Sequence, residues 1–155
     1  MATRTVVQAL AGATIGISST IPATYDGAGY GATTMIYTAV GEIETYGSHG
    51  GTKTITMHTP IDTAIVAKVG GSKDYGTMSL TIGSIPKGAG QLALAAAFEA
   101  NNAHFSIKET YPDGEIHYLD VIVSKYQWVD GAVNDVLKVQ VDLALCRAPV
   151  VVAAP

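Results

Sequence analysis

The chain has 155 residues, with 9 Lys and Arg against 13 Asp and Glu, for a formal net charge of −4. That length supports one domain whose core needs no covalent staples. The scattered cations exclude the basic stripe of a sequence-reading nucleic-acid binder, and the single cysteine, Cys146, excludes an internal disulfide framework. Charged residues make up only 14% of the chain, against roughly 25% in ordinary globular domains, so part of the surface is expected to be covered by neighbouring subunits.

Taken in chain order, residues 1–12 form an apolar, Thr-rich arm. The run after Arg4 loosely resembles a signal peptide, but Gln8 and Thr14 interrupt it and no clear small-residue cleavage site precedes Ile21-Pro22. No apolar run approaches about 18 residues, so no membrane-spanning helix is expected. From Ala13 to Ser18 the chain alternates, with Ala13, Ile15 and Ile17 on one face. Pro22, Asp26-Gly27 and Gly29 mark a loop over 21–31. A long strand is predicted over 33–46, broken at Gly41 by a bulge or a close backbone approach. Glu42 and Glu44 are expected to share one of its faces. After the flexible turn Gly47-Ser48-His49-Gly50-Gly51, a strand over 52–57 should turn Ile55 and Met57 inward. Residues 59–75 show almost no alternation and read as a long loop, a length that is usually functional or mobile in a compact domain.

The strand over 76–82 is clean, with Met78, Leu80 and Ile82 set against Thr77, Ser79 and Thr81. Then the pattern changes. Gly90 to Ala100 consists of strong helix formers without a β-branched residue, with Pro86 upstream and Asn101-Asn102 after it. Leu94 and Phe98, four apart, share a face that should pack on strands, and Ala93, Ala96 and Ala97 allow close approach. A helix of about three turns is marginal alone, so it must be packed on a sheet. A hairpin follows, with its turn at Tyr111-Pro112-Asp113-Gly114 and a second arm over 115–128. The last strand, 136–147, points Leu137, Val139, Val141, Leu143 and Leu145 inward and Lys138, Gln140 and Asp142 outward. Residues 148–155 form an apolar C-terminal arm. The predicted class is mainly β: a sandwich or part-barrel over 13–147 with a single helix packed on it.

Nothing in the sequence supports catalysis. His49, His58, His104 and His117 lack metal-ligand spacings, and Ser48 beside His49 is not a nucleophile–base pair, because sequence neighbours do not face each other productively. The Gly-rich run 27–31 lacks the Lys-Ser/Thr pair of a phosphate loop. No catalytic residue, metal ligand or cofactor is therefore expected. His104 and His117 could face each other across the hairpin, but they are read as two polar positions on one solvated strand face. The strand rims, in contrast, are not evidently blocked by Lys or Pro, and open rims seek partners.

Tyr37-Thr38-Ala39-Val40-Gly41-Glu42-Ile43, a Gly-rich turn with its strand, and Lys73-Asp74-Tyr75-Gly76 together resemble the front half of tail tube proteins of long-tailed phages. Gly90-Gln91-Leu92 resembles their helix start, and the hairpin at Pro112-Asp113-Gly114-Glu115 with the strand to Leu145 is similar to their back half. The resemblance spans 13–147. It implies six-membered rings of this chain, stacked into a hollow virion tail tube assembled in the host cytoplasm. A tape measure protein would lie inside during assembly, tail tip and terminator proteins at the ends, and DNA would pass through without specific binding. The long loop favours the non-contractile kind; the same fold serves tubes of contractile tails and secretion systems. A secreted pilus- or adhesin-like subunit, and an enzyme or ligand binder on a β-sandwich, are the competing classes.

A conduit must not hold its cargo, and basic surfaces bind DNA regardless of sequence. Polar, neutral-to-acidic faces suit a lumen, which nominates Glu42, Glu44, Thr77, Ser79, Thr81, Lys138, Gln140 and Asp142. Lys138 departs from the pattern and is expected to pair with a neighbour's acid. In the family resembled, the loop over 59–75 reaches the next ring. Ile61, Ile65, Val66 and Val69 would then supply apolar stacking area, and Lys68, Lys73 and Asp74 ion pairs across the boundary.

Overall fold

The structure, a computed structural model, describes residues 6–155. The first five residues of the expected N-terminal arm, Arg4 included, lie outside the described residues. The elements are β1 (Thr14–Ser18), α1 (Gly27–Tyr30), β2 (Thr38–Val40), β3 (Ile43–Tyr46), β4 (Thr52–His58), β5 (Ala67–Asp74), β6 (Thr77–Gly83), α2 (Ala89–Glu99), β7 (Phe105–Thr110), β8 (Ile116–Val129), β9 (Lys138–Leu145) and β10 (Val150–Val152). A single antiparallel sheet runs in the order β2-β1-β7-β8-β9-β6-β3, with β10 also on β8, and β4 pairs with β5 as a separate two-stranded ribbon.

This order forces the sheet to curl. The strands β2 and β3 stand at its two ends, yet Val40 and Ile43 are three residues apart, a reach of at most about 11 Å. Seven strands laid flat at a spacing of about 4.8 Å would put them about 29 Å apart. The sheet therefore wraps round until its ends nearly meet, as a part-barrel. The Tyr46 hydroxyl donates to the Ala13 carbonyl at 3.0 Å, tying β3 back to the chain just ahead of β1. Inside the curl, period-two alternation buries Ile15 and Ile17, then Met78, Leu80 and Ile82, then Leu119, Val121 and Val123, and finally Val139, Val141 and Leu143. Helix α2 lies on this core through Leu94 and Ala97, against β8, β2 and β1.

Gly90 carries the close approach. A Cβ there would collide with the Ala39 carbonyl oxygen of β2. At the next position, the buried Gln91 accepts from Ile85 N–H at 2.9 Å and donates to Gly83 C=O at 2.7 Å, satisfying the backbone where β6 gives way to α2. Asn102 adopts φ 54°, the left-handed conformation expected past the helix end. A second, smaller core of Tyr30, Met35 and Tyr118 holds Val150 and Val152 of β10, with Tyr30 and Tyr118 stacked at 5.1 Å.

Several expectations are corrected. The predicted loop over 59–75 contains β5, which pairs with β4 from Thr52↔Asp74 to His58↔Ala67. Its Gly and Lys residues hid it, because the strand is held by its partner's backbone and not by burial. Ile55 and Met57 are 49% and 67% exposed instead of inward. Phe98 is 41% exposed; the helix presents Leu94 and Ala97, three apart, to the core, which leaves Phe98 rotated off that face. The predicted strand over 33–46 is divided between opposite ends of the sheet. No close approach exists at Gly41, and it is Glu42, at φ 59°, that turns the chain. Gly27–Tyr30 forms a helical turn capped by Asp26, whose carboxylate accepts from Gly29 N–H at 2.7 Å. Leu137 is exposed ahead of β9. The end of the chain, read as an arm, contributes β10, with Val150↔Tyr118. Among the described residues no helix is long and apolar enough to cross a membrane.

Candidate functional site

Three surfaces stand out. The first is the outward face of β3, β6, β9 and β8. Ser79 and Asp142 are directly opposed, as are Thr81 and Gln140, so period two brings them to one face together with Thr77. Ser79 Oγ donates to Asp142 Oδ1 at 2.8 Å. Lys138 does not await a neighbour's acid: its Nζ lies 2.8 Å from Glu44 Oε2 of the same chain. Lys125, which alternation alone did not single out, joins this face and donates to Gln140 Oε1 at 3.2 Å. The face is polar and nearly self-neutralised. Glu42 is exposed but lies outside β3 in the left-handed conformation, so it does not follow the strand alternation that was to align it with Glu44.

The second surface is the β4–β5 ribbon. It continues the β3–β6 pair beyond the curled sheet, and every residue in both of its strands is exposed. Seven residues of strand project about 23 Å. A bulge between Lys53 and Ile55 faces Gly70-Gly71. Antiparallel pairing sets Ile55 opposite Gly70 and Met57 opposite Lys68, with Val69 on the other face opposite Thr56. Lys73 lies opposite Lys53, and Asp74 opposite Thr52. At the tip, Ile61, Ile65 and Val66 are exposed, and Ala64 N–H closes the turn onto Pro60 C=O at 2.9 Å. The stacking residues named from sequence thus sit on one projecting hairpin, Ile61, Ile65 and Val66 at its tip and the others along β5. The rim argument moves with them: the long strands β8 and β9 are interior, the sheet ends β2 and β3 are short, and the long unpaired edges belong to the ribbon. A further exposed apolar group, Trp128, Val133, Val136 and Leu137, surrounds the β8–β9 connection.

The third is a cluster that sequence reasoning missed. Glu109 and His117 are directly opposed on β7 and β8, on the core-facing side that they share with Ile107 and Leu119. His49, from the turn leading into the ribbon, closes over them. His49 Nε2 lies 2.8 Å from His117 Nδ1, His49 Nδ1 lies 3.6 Å from Glu109 Oε2, and His117 Nε2 lies 2.8 Å from Glu115 Oε1. The Glu109 side chain is 2% exposed, and burial raises its pKa against the lowering effects of a Tyr111 hydrogen bond and His117. Burial, then the nearby His117, lowers that of His49. His49 and His117 are separated by 68 positions, so no spacing motif could reveal them. The hairpin register would have paired Glu109 with His117. His104 does not face His117: its Nδ1 lies 3.0 Å from the buried Asp120, which Arg147 also engages through Nε at 3.1 Å.

No family model matches the chain, and no curated protein matches it. Solved structures match it at the level of the fold. A chain from the sheath/tube terminator of PVC, an extracellular contractile injection system, in its extended state aligns with TM-score 0.65 at 9% identity, over 97% of this chain and 100% of that one. A chain from the six-fold symmetrised baseplate of the anti-feeding prophage aligns with TM-score 0.61 at 12% identity, over 99% of both. The SPP1 tail tube aligns with TM-score 0.60 at 14% identity, over 90% of this chain and 75% of that one. The fold is tail-tube-like: mainly β, with a large antiparallel sheet and a short helix packed on it.

Proposed function

We propose that this chain is a non-enzymatic, ring-forming subunit of a phage-type tail tube, six copies to a ring and rings stacked into a hollow conduit for DNA. The observation that carries this reading is the β4–β5 ribbon. An isolated two-stranded hairpin is marginal in water, and this one leaves Ile55, Met57 and Val69 exposed along its strands among the described residues. Such a ribbon is expected to be covered by further copies of the chain. The tail-tube-like fold supports the same reading, as does the six-fold symmetry of the anti-feeding prophage baseplate, in which one of the similar chains sits.

In this arrangement the β3-β6-β9-β8 face lines the lumen. Its short polar side chains, the Lys138–Glu44 ion pair and the Asp142 carboxylate on the strand position opposite Lys125 offer DNA no free cationic track. The ribbon and its tip carry the contacts between rings. A tape measure protein occupies the lumen during assembly, and tail tip and terminator proteins close the ends in the particle tail. The alternative, a tube subunit of a contractile injection system, is favoured by the nearly full-length alignments with the PVC and anti-feeding prophage chains.

Negative-stain electron microscopy and light scattering of the purified protein test the reading. Hollow six-fold rings or tubes are expected. A stable monomer at high concentration and physiological salt, or thin solid filaments as in a pilus, would overturn it.

A further inference from the structure

The cluster at the root of the ribbon has one acceptor too many. Glu115 Oε1 accepts from His117 Nε2 at 2.8 Å, so this nitrogen carries the proton. His117 Nδ1 is then bare and accepts from His49 Nε2 at 2.8 Å. It follows that His49 Nδ1 is bare as well, and it faces Glu109 Oε2 at 3.6 Å. That oxygen is buried and has no hydrogen-bond partner among the described residues. Two lone pairs thus face each other in a site with little water, an arrangement that costs free energy unless a proton or a metal cation lies between them. A second proton on His117 would reverse the chain of donors, and a proton on Glu109 would be aimed at His49, but 3.6 Å is too long for the hydrogen bond that either would make.

A metal ion fits that gap. Two bonds of about 2.0–2.1 Å to one ion span such a separation at an angle near 120°. His49, Glu109 and His117 each bring one donor atom to within 4.8 Å of the others, with His117 Nδ1 turning its lone pair from the His49 Nε2 proton to the ion. Two imidazoles and a carboxylate are the donor set of zinc and its first-row neighbours, not of calcium or magnesium. The supporting shell is present too: Glu115 on His117, and the Tyr111 side chain on Glu109. His49 also borders a cleft of about 280 Å³, walled by Ser48, Gly51, Asp74 and Tyr75, that gives solvent a path to the turn.

We propose that His49, Glu109 and His117 bind a divalent first-row transition-metal ion, of which zinc is the representative, and that the ion ties the root of the β4–β5 ribbon to the β7–β8 hairpin. The site is separate from the tube reading and stands or falls without it. The test is titration of the chelator-stripped full chain with zinc chloride, followed by calorimetry and by thermal unfolding. One ion per chain is expected, with an unfolding midpoint that rises with zinc. His49→Ala, in a Gly-rich turn, and Glu109→Gln, which keeps the side-chain shape, should each weaken binding at least tenfold, while His104→Ala binds as the parent does. Absence of saturable binding by the parent chain would overturn the proposal. So would parental zinc affinity in folded Glu109→Gln, which decides the matter even if His49→Ala fails to fold.

Discussion

Replacing Ile55 and Met57 together by Thr separates what folds the subunit from what assembles it. Both side chains lie on one face of the ribbon, 49% and 67% exposed, and Thr keeps the β propensity of the strand. Within the single chain they bury little, so the midpoint of thermal unfolding should move by no more than a typical surface substitution, within about 0.5 kcal/mol. Full burial of an Ile or Met side chain contributes about 1.5–3 kcal/mol. The exposed portions therefore retain roughly 1 kcal/mol each to be gained when another copy covers them. The pair should weaken each subunit contact by about 2 kcal/mol, on the order of 30-fold in association constant. Sedimentation velocity across a concentration series measures this directly, with electron microscopy to identify the species. A double variant that assembles at the parental concentration would refute the reasoning and move the contact to the apolar group around Trp128 and Val133. A double variant with a much lower unfolding midpoint would show that the ribbon is part of the fold.

Further expected outcomes concern the core, the alkaline limit and the cargo. Leu94→Ala should cost about 2–5 kcal/mol as a buried truncation, and Phe98→Ala clearly less because Phe98 is 41% exposed; chemical denaturation of both variants makes the comparison. Gly90→Ala should destabilise by about 1–3 kcal/mol through overpacking against β2, although Ala is the better helix former, and the same measurement reads it. Burial raises the Tyr30 hydroxyl from 10.0 to about 12, with Asp120 adding, and burial also raises Tyr118. A folded value above the unfolded one means that this stability is complete below about pH 10 and is lost as pH rises towards 12. Unfolding with release of tyrosinate absorbance in that window is expected, and full exposure of the tyrosines at lower pH would contradict it. Finally, duplex DNA at about 0.15 M salt, where screening confines contacts to about 8 Å, should show no gel shift at micromolar protein; a shift with a steep salt slope would contradict the lumen assignment.

The mainly β class, the position of the helix, the β7–β8 hairpin and the inward sets of β6 and β9 were legible in the sequence. Each is a local pattern: alternation at Met78-Leu80-Ile82 and Val139-Val141-Leu143, helix formers from Gly90, and turn residues at Pro112-Asp113-Gly114. Local patterns are written by the solvent, which accepts polar side chains on one face and expels apolar ones from it. The polar face of β6 and β9 followed for the same reason.

What alternation cannot report is which strand lies beside which. The separation of β2 and β3 to opposite ends of the sheet, and the curl that brings them back, depend on pairings between residues far apart in the chain. β5 escaped detection because a strand exposed on both faces carries no hydrophobic period; only the hydrogen bonds of β4 define it. Leu94 and Phe98 lie on neighbouring lines of the helix, yet only the way the helix is rotated on the sheet decides that one is covered and Ala97 takes the other's place. The pairing of Lys138 with Glu44, and the meeting of His49 with Glu109 and His117, are products of the same closure. Side-chain chemistry was fixed residue by residue along the chain, and tertiary structure alone set the distances at which those side chains act on one another.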